Sequence, residues 1–350
     1  MCLSNDHGET LSALKEETEH LAGIPVTHIK PVSGGRNNRV YRVRLTDGRC
    51  LALKKYFHSP EDPRDRLRTE FSTLRFLWEN GINYVPEPVA CDRESGIALY
   101  RWIEGEKVAD PAAGDIDRVV DFLSALKRLA GCPAAASLRP ASEACLCADE
   151  LIAQVEARFE RLSCVATDYP ELERFLRERL QSRIHLVKER LLNGYADNGL
   201  SCSEDIEMAF RTLSPADFCF NDTLYSSDGI LFFLDFEYFG WDDPVKMLSD
   251  FLLHPGMKIS LELKERFLNG TFNVFSTDRY FPVRLKLQYP MYLLRWSLII
   301  LNEFLPEVWS RRSFAGAGAS RAARNKQLDK AESFLRGVEH DDMAPFLQCL

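Results

Sequence analysis

The sequence has no long apolar run. Stretches such as "WSLIILNEFL" are short and interrupted, well under the roughly 20 residues needed to span a bilayer. The opening "MCLSNDHGETLSALKEE" has no apolar core of export-signal length. None of the ten cysteines forms a CxxC pair; Cys145 and Cys147 form only a CxC. Scattered cysteines without pairing suit reduced thiols buried as small hydrophobes in a cytoplasmic protein. The seven histidines show no HxxxH spacing, so no zinc site is expected. A positive surplus is also missing. With a formal net charge of -8, neither nucleic acid nor an anionic membrane is an expected partner. No GxGxxG and no GxxxxGK[ST] occurs.

What is present suits a soluble globular chain. Its 350 residues are 45% hydrophobic and 27% charged, enough for two lobes with a sizeable core. Residues 9–22 read as an amphipathic helix. From Arg39 the side chains alternate, with Tyr41, Val43 and Leu45 on one side and Arg42 and Arg44 on the other. Asp47-Gly48 is a turn, and "CLALKKYF" returns as a second strand. In "RDRLRTEFSTLRFLWENG", Leu67, Phe71, Leu74 and Trp78 mark a helix that Gly81 ends. Two further strands flank a turn at Glu94–Gly96. Residues 1–104 thus make a small antiparallel sheet with one helix across it. Helical periodicity dominates residues 105–350, with brief strands in "ILFFLDFEYF". After Pro290 the apolar run predicts another helix. The small, basic stretch 311–326 predicts a mobile loop, or one that contacts an anion.

In "LALKK", alternation puts Ala52 and Lys54 on one face and Lys55 on the other. A small residue beside a lysine leaves room for a flat ligand and offers it a cation. A solvated strand lysine has the same pattern. Glu70 lies between Leu67 and Leu74, on or beside the apolar stripe of its helix. A carboxylate there is costly unless paired, and Lys54 is the partner that packing would bring; solvation at the edge of the stripe is the alternative. A Lys–Glu pair aimed at a polyphosphate is what phosphoryl transfer uses. Gly34 and Gly35, in a turn before the hairpin, would let backbone N–H groups approach phosphate oxygens, or simply make the turn.

The stretch "SPADFCFNDTLYSSDGILFFLDFEYFGWDDP" holds Asp217, Asp222 and Asp235 in apolar surroundings. Asp235 ends an apolar strand, and "YSSDG" turns the chain into a hairpin. Gathered carboxylates repel unless a cation sits among them, and oxygen donors without sulfur suit Mg²⁺. Each aspartate alone could be a turn or cap residue. Their coincidence with Lys54, Glu70 and the glycine turn points to phosphoryl transfer.

These features together resemble the aminoglycoside phosphotransferase and choline kinase group, small-molecule relatives of protein kinases. The resemblance covers about residues 30–305 and is most specific over Ser214–Asp250. It implies an α+β, bilobal, protein-kinase-like fold: a β-rich nucleotide-binding lobe (1–104) and a larger, mainly helical lobe (105–350). It also implies ATP and Mg²⁺ as cofactors and a small-molecule hydroxyl as acceptor. Aminoglycosides, amino alcohols, sugars and homoserine-like alcohols all fit. By position, Asp217 would be the catalytic base and Asp235 would bridge Mg²⁺ to the phosphates. Lys54, Glu70, Gly34, Gly35 and Asn38 of "GGRNNRVYRV" would serve the nucleotide, with Tyr100 and Trp102 on the strand that leads to the adenine-holding hinge. One of Asp242 and Asp243 would support the catalytic loop through backbone N–H bonds, and Trp296 and Glu303 would line the acceptor pocket or belong to the core. Two positions depart from the family pattern. Pro215 replaces a loop histidine, and Asp222 replaces the metal-binding asparagine, with Asn221 one residue earlier. They keep a second reading open, a degenerate kinase that holds nucleotide without transfer. AMP transfer on the same fold is a third.

Overall fold

The computed structural model describes residues 11–32, 37–59, 62–257, 259–314 and 321–339. The chain begins with α1 (Leu11–Ala22), β1 (Val26–Val32), β2 (Arg39–Leu45), β3 (Cys50–Lys55) and α2 (Arg66–Glu79). Next come β4 (Pro88–Asp92), β5 (Ile97–Arg101), β6 (Gly105–Lys107), α3 (Ala113–Ala130), α4 (Ala148–Ala166), α5 (Pro170–Phe175) and α6 (Gln181–Asp197). Four short strands follow: β7 (Thr212–Ser214), β8 (Thr223–Ser226), β9 (Leu231–Phe233) and β10 (Gly240–Asp242). The chain closes with α7 (Pro244–Leu253), α8 (Leu261–Val274), α9 (Phe281–Ile300), α10 (Pro306–Phe314) and α11 (Arg321–Glu339).

The described residues form two compact units. One comprises those up to Glu106, together with Tyr225–Glu237 and the residues from Ser310 to Phe314. The other comprises Lys107–Leu224, Tyr238–Trp309 and the residues from Arg321. Two later segments therefore join the first unit.

The first unit is built on an antiparallel sheet in the order β1-β2-β3-β5-β4. Period-two alternation gives it two faces. Leu14 of α1 packs with Val26, Val43, Leu45, Leu51, Leu53, Ile97 and Leu99 on one. Burying each such leucine contributes about 1.5–3 kcal/mol. The other face carries Ala52 opposite Tyr100 and Lys54 opposite Ala98. There α2 buries Leu67, Glu70, Leu74 and Leu77. Asp65 caps α2 by accepting from the Arg68 N–H, and Gly81, at φ +81°, follows its end. Strand β1 has no alternating signature: only Val26 is buried, and Pro31 suits the sheet edge it occupies.

The second unit is mainly helical. Helix α9 lies at its centre, against α4, α6, α7 and α11. It starts at Phe281, ahead of the predicted point, and runs through Pro290. A mid-helix proline costs about 3 kcal/mol, but buried Leu285, Tyr289, Tyr292 and Leu294 on both sides of it outweigh that cost. The stretch 171–192 is broken by a π turn at Leu176–Leu180 between α5 and α6. Residues 306–314 are helical in α10, and 321–339 in α11, so most of the loop expected over 311–326 is helix. Phe314 packs into the first unit. Arg39 Nε donates to its carbonyl (2.7 Å), and the Arg39 guanidinium lies 4.2 Å from its ring centroid. Among the described residues, no helix is long and apolar enough to cross a membrane.

Gly240 sits where the backbone of residues 139–141 crosses β10. A Cβ there would lie 2.3 Å from the Arg139 carbonyl oxygen and 2.5 Å from the Ala141 nitrogen. Backbone atoms cannot yield as a side-chain tip can. Gly240→Ala is expected to cost about 1–3 kcal/mol and to lower the thermal midpoint by several degrees. A midpoint equal to wild type would contradict the close approach.

Candidate functional site

In the first unit, charged side chains converge on Lys54. Its ammonium donates to Glu70 Oε2 (2.6 Å) and to Asp235 Oδ1 (2.7 Å), with Glu237 Oε2 at 3.6 Å. Strand β3 supplies the lysine and α2 the first carboxylate. The segment after β9 supplies the other two. Asp235 has φ +66°, a left-handed backbone that a non-glycine residue adopts at a cost of about 1–3 kcal/mol. The Tyr56 hydroxyl donates to Glu70 Oε2 (2.7 Å) and shares a 2.7 Å bond with the Tyr100 hydroxyl. Asn38 Nδ2 donates to Glu237 Oε2 (2.5 Å), while Asn38 Oδ1 accepts from the Phe57 N–H. Arg66 Nε lies 3.8 Å from Glu237 Oε1.

Burial would drive the Lys54 ammonium to neutrality, but Asp235, Glu70 and Glu237 outweigh it and hold the group charged well above the usual lysine range. Burial acts the other way on Glu70. Helped by the nearby charges of Asp235 and Glu237, and against the pull of Lys54, it raises the carboxyl to about 7. One oxygen each of Glu70, Asp235 and Glu237 lies within 4.8 Å of the others. Carboxylate oxygens suit a hard divalent cation. Glu237 Oε1 is a buried acceptor with no hydrogen bond among the described residues. Asp235, with a side chain 41% exposed, is the member open to solvent. The donor set therefore fits Mg²⁺, with Asp235 as the group able to present an oxygen.

In the second unit, the loop after β7 carries Asp217, Asn221 and Asp222. Ala216 takes φ +67°, and its N–H donates to Ser214 Oγ (3.1 Å). Phe218 and Phe220 are buried against Phe251, at ring separations of 5.3 and 5.7 Å. These anchors leave the Asp217 side chain 48% exposed. Asp222 Oδ2 accepts from the Cys219 thiol (3.2 Å). Burial, with the Asp222 charge, keeps that sulfur protonated well above the usual thiol range. Asn221 Nδ2 donates to the Gly256 carbonyl (3.1 Å). Its amide nitrogen thus docks the loop on the turn after α7.

Among the described residues, neither Asp242 nor Asp243 accepts an N–H from this loop. Asp242 Oδ1 accepts from the N–H groups of Cys145 (3.0 Å) and Asp243 (2.9 Å). Asp243 caps α7 through the Val245 N–H (2.8 Å) and pairs with Arg284. Their sequence neighbourhood places them at the start of α7, so their oxygens serve that helix and the 145 turn. Lys246 lies 2.9 Å from both Asp242 and Asp250. Trp296 is buried, and its indole donates to Asp250 Oδ1 (2.9 Å). Glu303 lies in a short 3₁₀ turn after α9.

Of the other candidates, Gly34 and Gly35 lie outside the described residues. The Tyr100 side chain belongs to the hydrogen-bond chain on Glu70, described above. Trp102 donates its backbone N–H to the Cys50 carbonyl (3.1 Å) and its indole N–H to Glu104 (3.1 Å). Sequence reasoning missed Glu237 and Arg66. The cost argument applied to Glu70 also covers Glu237, a glutamate in the apolar "LDFEYF".

Glu70 makes stability depend on pH. Its ordinary value is 4.5, and in the folded chain it rises to about 7. The folded state therefore binds this proton more tightly. The resulting stabilisation is complete below the unfolded value and is lost as the pH rises through the folded one. Urea midpoints at about pH 5 and about pH 8 should differ more in wild type than in Glu70→Gln. Equal differences would contradict the raised value.

A family model described as the phosphotransferase enzyme family matches residues 28–280. No curated protein sequence matches the chain. Among solved structures, it is similar to a spectinomycin phosphotransferase in complex with ADP and spectinomycin. The TM-score is 0.63 at 12% identity, over 94% of this chain and 98% of that one. A choline kinase from Cryptosporidium parvum gives 0.61 at 12% identity, over 97% and 99%. A choline kinase from Streptococcus pneumoniae gives 0.58 at 15%, over 94% and 100%. At these identities the likeness is one of fold, the protein-kinase-like fold with its antiparallel five-stranded sheet and helical C-terminal region. With the family model spanning well over half of its length, the chain belongs to the phosphotransferase enzyme family.

Proposed function

We propose that this chain moves the γ-phosphoryl group of ATP onto a hydroxyl of a small molecule. The observation that carries the reading is the Lys54 ammonium, held charged by Glu70 and Asp235 at 2.6 and 2.7 Å. A buried cation fixed by two carboxylates, one of them solvent-facing, is the arrangement a metal-bound triphosphate requires. Lys54 contacts the phosphates and Glu70 fixes its direction. Gly34, Gly35 and Asn38 serve the nucleotide from the β1–β2 side, and Tyr100 and Trp102 from the strand that leads to the adenine. Asp235 would hold Mg²⁺, which when bound neutralises charge on the phosphates; Asp222 is assigned as a metal ligand by its position in the family pattern. Asp217, anchored by its phenylalanine neighbours and half-exposed, orients the acceptor hydroxyl and accepts its proton. Catalysis rests on positioning and charge neutralisation, without a covalent intermediate. The likeness in fold to a phosphotransferase in complex with ADP supports this reading.

One observation favours a second reading, nucleotide binding without transfer. Asp222 Oδ2 takes a thiol donor, so this carboxylate would reach a metal with one oxygen already partnered.

Asp217→Ala is expected to lower turnover about 100-fold or more while ATP affinity stays near wild type. Asp235→Ala should weaken Mg-ATP binding itself. The nucleotide product over a panel of small alcohols should be ADP. Wild-type turnover in both variants would overturn the role assignments. Metal-dependent ATP binding with no ADP released on any acceptor would establish the second reading, and pyrophosphate release would establish AMP transfer.

A further inference from the structure

We propose that His254, on the turn that follows α7, is a positioning residue for Asp217: its Nε2–H faces the carboxylate, engages Oδ1 and leaves Oδ2 for the acceptor hydroxyl. This rests on the role given to Asp217 above. A half-exposed aspartate on a loop can rotate and present either oxygen. The loop itself offers little to prevent this, since residue 215 is a proline with no N–H. Among the described residues, the ionisable cation-forming group within 4 Å of the Asp217 carboxylate is His254, with Nε2 at 3.6 Å from Oδ1.

The ring is held on its other sides. Nδ1 accepts from the Gly256 N–H (3.1 Å). An accepting Nδ1 carries no proton, so the neutral imidazole bears its hydrogen on Nε2, the atom facing Asp217. The ring meets Trp296 edge-on, with centroids 5.2 Å apart. Trp296 is fixed by Asp250, which in turn lies 2.9 Å from Lys246 and 3.1 Å from Arg295. A buried ion network thus sets the plane of a ring at the edge of the site.

The same turn grips the loop twice more. Besides the Asn221–Gly256 bond, the Phe220 N–H points at Met257 Sδ (3.3 Å). A Cβ on Gly256 would lie 2.4 Å from Asn221 Nδ2 and 2.9 Å from His254 Cε1. Residues 254–257 therefore form a cradle for 217–221. At 3.6 Å the His254–Asp217 contact is longer than a hydrogen bond, and such contacts shorten when substrate fills a site.

The test uses two polar substitutions of the full chain that differ in where the amide nitrogen falls. Glutamine places an N–H near Nε2; asparagine reaches only as far as Nδ1. ADP release from Mg-ATP is measured, with water or any accepted alcohol as acceptor. His254→Asn should lower kcat about tenfold to a hundredfold with the KM for ATP little changed, and His254→Gln should retain most of the activity. Equal activity in the two variants, whether both wild-type or both lost, would overturn the positioning role. Long-range ¹H–¹⁵N NMR of the imidazole needs no acceptor. It should find the neutral ring protonated at Nε2, and a proton on Nδ1 would overturn the proposal. Wild-type turnover in Asp217→Ala is a separate outcome: it removes the role of Asp217 itself.

Discussion

One ammonium, that of Lys54, is drawn to three carboxylates in the interior of the first unit, and the rest of the site depends on that contact. The counts do not balance locally. Glu70, Asp235 and Glu237 face Lys54, with Arg66 further off at 3.8 Å from Glu237. A buried excess of negative charge is expensive. It is relieved in two ways: Glu70 holds its proton to about 7, and Asp235 keeps an edge toward solvent. An arriving cation is attracted to the same excess. The cluster thus ties the phase of α2, the parity of β3 and the left-handed backbone at Asp235 to one geometric requirement.

The second unit meets a different need, which is to hold a short polar loop still. In "ADFCFND", Phe218, Cys219 and Phe220 are all buried, the two phenylalanines in an aromatic cluster, while Asp217 stays at the surface. Behind them, Lys246, Arg295, Asp242 and Asp250 form a buried network. Replacing such networks with apolar side chains often stabilises a protein. We read this one as directional: it orients Trp296, and through Trp296 the ring of His254.

The parts of the site that follow from local rules were legible in the sequence. Glu70 falls inside an apolar stripe, and its pairing with Lys54 follows from the cost of leaving it there. Asp47-Gly48 marks its turn, with Gly48 at φ +87°. What was not legible depends on tertiary contact. Strand β1 is an edge strand with one buried residue, so it carries no alternation. The proline in α9 is tolerated because the helix is buried on both sides of it. His254 has no ligand spacing around it, and its link to Asp217 joins residues 37 positions apart in the chain. Asn221 docks its loop through a bond from Nδ2 to the Gly256 carbonyl, which joins residues 35 positions apart.

The central claim is that the Lys54 cluster is arranged for a metal-bound triphosphate. Calorimetric titration of ATP into the wild-type chain, once with excess Mg²⁺ and once with EDTA, tests it most directly. One ATP per chain, bound at least about tenfold more weakly when the metal is removed, is the expected result. Equal affinity with and without metal, or no heat of binding under either condition, would contradict it.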